Sequence, residues 1–306
     1  MFKVGDIFCG CGGFSLGFDY LYDFFDVVYA VDNWQIACDS YKANMANVDV
    51  NCEDVLKLKL SEIPRVDVLI GSPPCQEFTI AKAFKRGGAK DTRTFDMSLT
   101  LWFLSLVEYM KPKYWIMENS SIVSKLLNEK YPRKILRMSD YGVPQIRKRM
   151  FAGEFIEPKR ELCAVRFPTV INEQGGCIYR PPNLGFRLGA VFRRRALIPE
   201  VKLVQTFPID YVLYGSLSEQ YLQLGNAVPP LMSYKLATAI GEKCGRNCVD
   251  TNKLLCDEPL PSKPSPPEKK EQLVGDTCGY AGACSYRNED GNCLFKRPCK
   301  DKRRCV

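Results

Sequence analysis

The chain has 306 residues, 46% of them hydrophobic, with a formal net charge of +8 and no histidine. That length can bury one substantial core with a smaller appendage, and a positive balance favours a polyanionic partner. Without histidine, histidine-based triads and histidine metal ligands are excluded, so proton transfer falls to Glu, Asp, Lys, Cys or water.

Met1-Phe2-Lys3-Val4-Gly5 lead straight into a strand, without the charged and apolar regions of a signal peptide. No run of about 18 apolar residues follows anywhere, so the expectation is a soluble, monomeric, cytoplasmic protein away from membranes. Val4 to Phe8 predict the first strand. Cys9-Gly10-Cys11-Gly12-Gly13-Phe14-Ser15-Leu16-Gly17-Phe18 predict a glycine-rich turn entering a helix, a loose form of a dinucleotide fingerprint. Glycines there let a ligand approach the backbone and let helix and strand pack closely. The second strand, Val27 to Asp32, ends in an acid where open α/β folds hydrogen-bond ribose hydroxyls. Asp32 reads either as that ligand or as the N-cap of a helix from Trp34 to Asn44. Asp54 falls where a third strand would meet the base of a cofactor.

The apolar run Val66 to Ile70 ends in Gly71-Ser72-Pro73-Pro74-Cys75-Gln76. It predicts a buried strand delivering Cys75 to the carboxyl edge of a sheet, the edge where such folds bind ligands. Two consecutive prolines stiffen that loop, which suits a nucleophile, although a lone Pro-Pro-Cys is more simply a reduced cysteine in a tight turn. Phe78 to Phe95, with Lys82, Lys85, Arg86, Lys90 and Arg93, reads as a mobile basic loop or a solvated one. A helix near Met97 to Met110 leads to the strand Tyr114 to Met117, which ends in Glu118-Asn119-Ser120. In Gln145-Ile146-Arg147-Lys148-Arg149, alternation on a strand puts Arg147 and Arg149 on one face, converging on an anion or a base edge, or else solvated.

Residues 155–195 are rich in Gly, Pro and Arg and predict a small irregular basic region. A return follows over 196–245, with Gly225-Asn226-Ala227-Val228-Pro229-Pro230 and an amphipathic helix from Leu231 to Ile240. A proline-rich linker spans 246–277 and a Cys-rich basic tail 278–306. Of the 15 cysteines, five lie in that tail. Cys284, Cys293, Cys299 and Cys305, with Cys278 as an alternative ligand, suit a small tetrahedral zinc site; a disulfide-bonded or disordered basic tail fits equally.

Taken in order, these signals resemble the cytosine-5 DNA methyltransferase family. Asp6-Ile7-Phe8-Cys9-Gly10-Cys11-Gly12-Gly13 is similar to its S-adenosylmethionine loop, Pro73-Pro74-Cys75-Gln76 to its nucleophile motif and Glu118-Asn119 to its acid. Gln145-x-Arg147-x-Arg149 is similar to its arginine pair, and Gly225 to Pro230 to its closing motif. The resemblance covers nearly all of residues 1–241. Any one motif is weak evidence, but the ordered set is specific. Ser120 stands where the family usually has Val, and the recognition region is short.

The resemblance implies an α/β, Rossmann-like S-adenosylmethionine-dependent methyltransferase fold. Residues 1–154 and 196–245 would form the catalytic domain, with a small irregular target-recognition domain at 155–195 and the Cys-rich tail beyond. It implies duplex DNA as partner, in a restriction-modification setting near the nucleoid of a prokaryote or in a virus-infected cell. Phe8, Gly10, Gly12, Gly13, Asp32, Asp54, Pro73 and Asn226 would bind the cofactor, with Asp6 as a further candidate. Cys75 would add as a thiolate to C6 of a flipped cytosine, activating C5 for methyl transfer. Glu118 would serve N3 and the exocyclic amine, and Arg149 would hold O2. Arg147 would support the nucleotide or its phosphate. A tRNA cytosine-5 methyltransferase on the same scaffold and a non-catalytic DNA-binding protein are the competing readings.

Overall fold

The structure, a computed structural model, describes residues 1–74, 96–163, 167, 169–170 and 196–245. The chain divides into two units, Met1–Pro261 and Ser262–Val306, and every described residue lies in the first. Cys75, the basic loop after it, most of 155–195, the linker and the five tail cysteines lie outside the described residues.

Runs rich in aliphatic and aromatic residues build β1 (Phe2–Ile7), β2 (Phe25–Asp32), β4 (Val68–Gly71) and β5 (Tyr114–Asn119), and the short, more polar β3 (Asp49–Cys52) adds at the edge beside β2. Helices α1 (Gly13–Asp19), α2 (Gln35–Asn44) and α3 (Ser98–Met110) are interposed. β6 (Arg133–Arg137) and β7 (Lys148–Ala152) follow, then α4 (Ile198–Val204), α5 (Leu217–Asn226) and α6 (Pro230–Lys243). The seven strands form one sheet in the order β3-β2-β1-β4-β5-β7-β6. β1 to β5 are parallel, whereas β7 runs antiparallel to β5 and to β6. The winding reverses between β1 and β4, which pair directly. The crevice beyond their carboxyl ends is therefore the ligand-binding place of a doubly wound sheet.

Both faces of the sheet are covered. Along β4 and β5, Val68, Ile70 and Ile116 pack with Phe14, Phe18 and Leu231 on one face, while Leu69, Trp115 and Met117 pack with Phe103 and Leu104 on the other. That alternation is the period of two expected of pleated strands. A β-carbon on Gly13 would strike the Val228 carbonyl oxygen and Phe207, so glycine lets the start of α1 sit against the closing segment. No described helix is long and apolar enough to cross a membrane.

β6 has no counterpart among the elements read from the sequence. In Arg133-Lys134-Ile135-Leu136-Arg137 only Leu136 is buried, so no apolar alternation announces a strand. Its place at the sheet edge, paired on one side to β7, makes that composition tolerable.

Candidate active site

A cavity of about 430 Å³ opens at the switch point. It is lined by Phe8 and Gly10 after β1, Asp32 and Trp34 after β2, Ser72, Pro73 and Pro74 after β4, Glu118 on β5, Arg147 and Arg149 at the start of β7, and Asn226 at the end of α5. Residues up to 218 positions apart thus meet at one sheet edge, because five strand ends and one helix end point there.

The glycine-rich turn is held open by two unusual backbone conformations. Phe8 has φ 61°, a strained value for a bulky residue, and its ring sits edge-on to Trp102 at 6.4 Å between centroids. Gly10 has φ 53° and nothing within 4 Å of where a β-carbon would stand, so its backbone faces open space. Asp32 ties this turn to α2: one oxygen accepts from Gly10 N and the other from Trp34 N, each at 2.9 Å. It is not the N-cap of α2, which is Trp34. Burial raises the Asp32 carboxyl, against the lowering effect of these backbone donors.

The opposite wall carries the charges. Glu118 is 4% exposed, and its Oε1 lies 3.0 Å from Arg149 Nε in an ion pair. Arg149 Nη1 also donates to the Lys148 carbonyl at 2.8 Å. Next along β5, Asn119 Nδ2 donates to the Pro73 carbonyl at 3.2 Å, tethering the loop two residues before Cys75. Arg147 is buried, and its Nη1 donates to the carbonyls of Val170 and Gly225, each at 3.0 Å. The guanidinium thus binds the main chain that carries Asn226.

Three other expected cofactor residues do not line the cavity. Gly12 is the N-cap of α1 with φ 93°, and Gly13 serves packing. Asp54 caps a short turn after β3, accepting from Leu56 N at 3.0 Å. A polar side chain after a strand end serves the nearest unpaired donor unless the chain carries it to the crevice, and Asp54 follows the outermost parallel strand.

Asp6 is likewise inside the protein, away from the lining. It accepts from Ser15 Oγ at 2.7 Å beneath the glycine-rich turn. Burial pushes its carboxyl up from 3.8 to about 7, opposed by the Ser15 hydrogen bond and assisted by the Asp32 charge. A raised folded-state value means that this group's stability contribution is complete below about 4 and is lost as pH rises through 7. Wild-type protein should therefore lose about 3 kcal/mol more than Asp6→Asn between pH 5 and 8. Urea unfolding across that range tests this, and parallel curves for the two proteins would refute it.

Sequence reading missed Gln205. Its Oε1 accepts from Gln145 Nε2, and its own amide donates to the carbonyls of Leu224 and, at 3.4 Å, Ala227. Gln145 also receives Val170 N on its oxygen at 3.3 Å. Two buried amides thus join the segment before β7 to both ends of the turn bearing Asn226. Gln145 could be found through its motif, whereas Gln205 caps a short helix of mixed composition and carries no signal of its own.

Cys9 and Cys11 also line the cavity. Burial raises both thiols, Cys9 well above its ordinary value and Cys11 to about 12, so neither supplies a thiolate near neutral pH. Among the described residues no group of three or more Cys, Asp or Glu could hold a metal ion.

The sequence profile of the C-5 cytosine-specific DNA methylases matches residues 2–169 and 183–242. The chain belongs to this family. This DNA cytosine-5 methyltransferase is 29% identical over 301 residues to the Type II methyltransferase M.HgiDI of Herpetosiphon aurantiacus, covering 78% of this chain and 94% of that one. It is 34% identical over 188 residues to the Type II methyltransferase M.MthTI of Methanothermobacter thermautotrophicus, covering 56% and 53%. In fold it is similar to a Spodoptera frugiperda DNMT2 variant, with TM-score 0.57 and 18% identity over 78% of this chain and 99% of that one. A putative DNA modification methyltransferase encoded within an E. coli prophage gives TM-score 0.56 and 18% identity over 80% and 100%.

The family's methyl donor is S-adenosylmethionine, and the cavity suits it. Its volume lies in the range of cofactor sites. Its walls combine aromatic surface from Phe8, Phe14 and Trp34 with the Asp32 carboxylate, and Gly10 leaves the backbone open to a close approach.

Proposed function

We propose that this methylase transfers a methyl group to C5 of a cytosine flipped out of duplex DNA, through a covalent bond between Cys75 and C6. S-adenosylmethionine would supply the electrophilic methyl group, held by Phe8, Gly10, Asp32 and Asn226. C5 of cytosine is too weak a nucleophile to take that methyl unaided. Addition of the Cys75 thiolate to C6 makes C5 an enamine carbon and pushes charge onto N3 and O2. Glu118 hydrogen-bonds N3 and the exocyclic amine, and Arg149 holds O2. Loss of the C5 proton to water, the base left in a chain without histidine, then expels the cysteine. Within a stacked duplex this carbon is out of reach, which is why the base must leave the stack.

The observation that carries this reading is the Glu118–Arg149 ion pair, which lines the same cavity as Asp32, Asn226 and Pro73-Pro74, the lead into Cys75. The raised thiols of Cys9 and Cys11 support it further by removing the competing cavity cysteines. Relatives named Type II methyltransferases support a restriction-modification role. A cytoplasmic monomer near the nucleoid is the setting consistent with that substrate.

The test is to supply methyl-labelled S-adenosylmethionine with mixed-sequence duplex DNA and, separately, total tRNA, then identify the labelled nucleoside. Label in 5-methyldeoxycytidine is the expected result. Label in tRNA alone moves the activity to RNA, and label in neither overturns the reading.

A further inference from the structure

Among the described residues, two cations of the β6–β7 hairpin have no counter-charge. Arg137 and Lys148 are directly opposed across the ladder, and both side chains are exposed. Directly opposite residues share a face, with β-carbons about 4.5–5.5 Å apart, and like charges there are destabilising. The other cations of β6 have acceptors: Lys134 pairs with Glu157 at 2.5 Å, and Arg133 donates to the carbonyls of Asn128 and Tyr131. Among the described residues no carboxylate pairs with Arg137 or Lys148. An edge hairpin can bear such a juxtaposition, but its own packing gives no reason for it.

Position supplies the reason. β7 is antiparallel to β5, with Asn119 opposite Met150. Lys148, two residues earlier, therefore lies beyond the carboxyl end of β5, at the sheet edge where the cavity opens. Its neighbours Arg147 and Arg149 line the cavity. Strand alternation sends Lys148 to the other face, that of Met150 and the cluster beneath α3. The hairpin thus places Arg149 in the cavity wall and the Arg137–Lys148 pair on the opposite face, at the same carboxyl edge of the sheet. Two cationic heads on adjacent strands can straddle one phosphate, the guanidinium giving a two-pronged contact and the ammonium a point charge.

We propose that Arg137 and Lys148 grip a phosphodiester of the duplex next to the base drawn into the cavity. This rests on duplex DNA being the substrate. Phosphate contacts fix register without reading sequence, so the pair would anchor the strand whatever site is recognised.

The experiment measures affinity for a mixed-sequence duplex against salt concentration, with methyl transfer to the same duplex recorded separately. Arg137→Ala/Lys148→Ala is expected to flatten the slope of log affinity on log salt by about 1, the release expected for one phosphate. Lys134→Ala, on the same strand but paired to Glu157, should keep the wild-type slope. The melting temperature of the double variant should not fall, because a repulsion is removed. An unchanged slope, an equal loss in Lys134→Ala, or a lowered melting temperature overturns the proposal. So does a loss seen with tRNA and not with duplex. A wild-type enzyme that methylates DNA while the double variant keeps its slope would sink this contact alone. A flattened slope with no methyl transfer by wild type would instead sink the functional reading.

Discussion

Cys75→Ser is expected to abolish methyl transfer while changing affinity for S-adenosylmethionine by no more than about twofold. Attack on C6 needs an anion, and a serine hydroxyl ionises far less readily than a thiol. A serine nucleophile normally relies on an adjacent base such as histidine, and this chain has none. The cysteines already in the cavity offer no substitute, since burial holds Cys9 and Cys11 as neutral thiols. Cofactor binding should survive because Phe8, Asp32 and Asn226 belong to other elements, and because Asn119 still tethers the Pro73 carbonyl. Label transfer to duplex DNA and calorimetric titration with the cofactor read the two halves separately. Substantial turnover in the serine variant would remove Cys75 from the mechanism.

Glu118→Gln should lower the single-turnover rate by about 10²–10³-fold, the effect typical of deleting one group that stabilises developing charge. Glutamine keeps the size of the side chain and loses its charge, so the variant tests electrostatics with little change in packing. It also leaves Arg149 without the ion pair at 3.0 Å, freeing the guanidinium to move. Truncating Arg149 would be a poorer test, because it strands a buried carboxylate and confounds rate with stability. Thermal melting of Glu118→Gln checks that the fold survives. A folded variant with the wild-type single-turnover rate would show that Glu118 does not act on the ring.

Much of this protein is determined by the sequence alone. Short β-branched runs closed by Gly, Pro or a polar residue announce β1, β2, β4 and β5, because a strand buried on both faces must be continuously apolar and must stop where the chain turns. The residues after those runs are functional candidates for the same reason: parallel strands deliver their carboxyl ends to one edge. Asp32, Pro73 and Glu118 were legible in this way, Phe8, Gly10, Arg149 and Asn226 through motifs that resemble the family's, and all seven line one cavity.

What only the tertiary structure decided is the partner of each polar group. Nothing local distinguishes an aspartate that faces the crevice, such as Asp32, from one sealed beneath a turn, such as Asp6, or one capping a turn, such as Asp54. Arg147 and Arg149 share a motif and a strand face, yet one grips main chain from Val170 and Gly225 and the other an acid on β5. Gln205 and the Arg137–Lys148 pair acquire meaning only from long-range neighbours. Hydrophobic periodicity reports which face is buried, a property each segment carries within itself. A hydrogen bond or ion pair depends on the few ångströms separating residues that folding alone brings together.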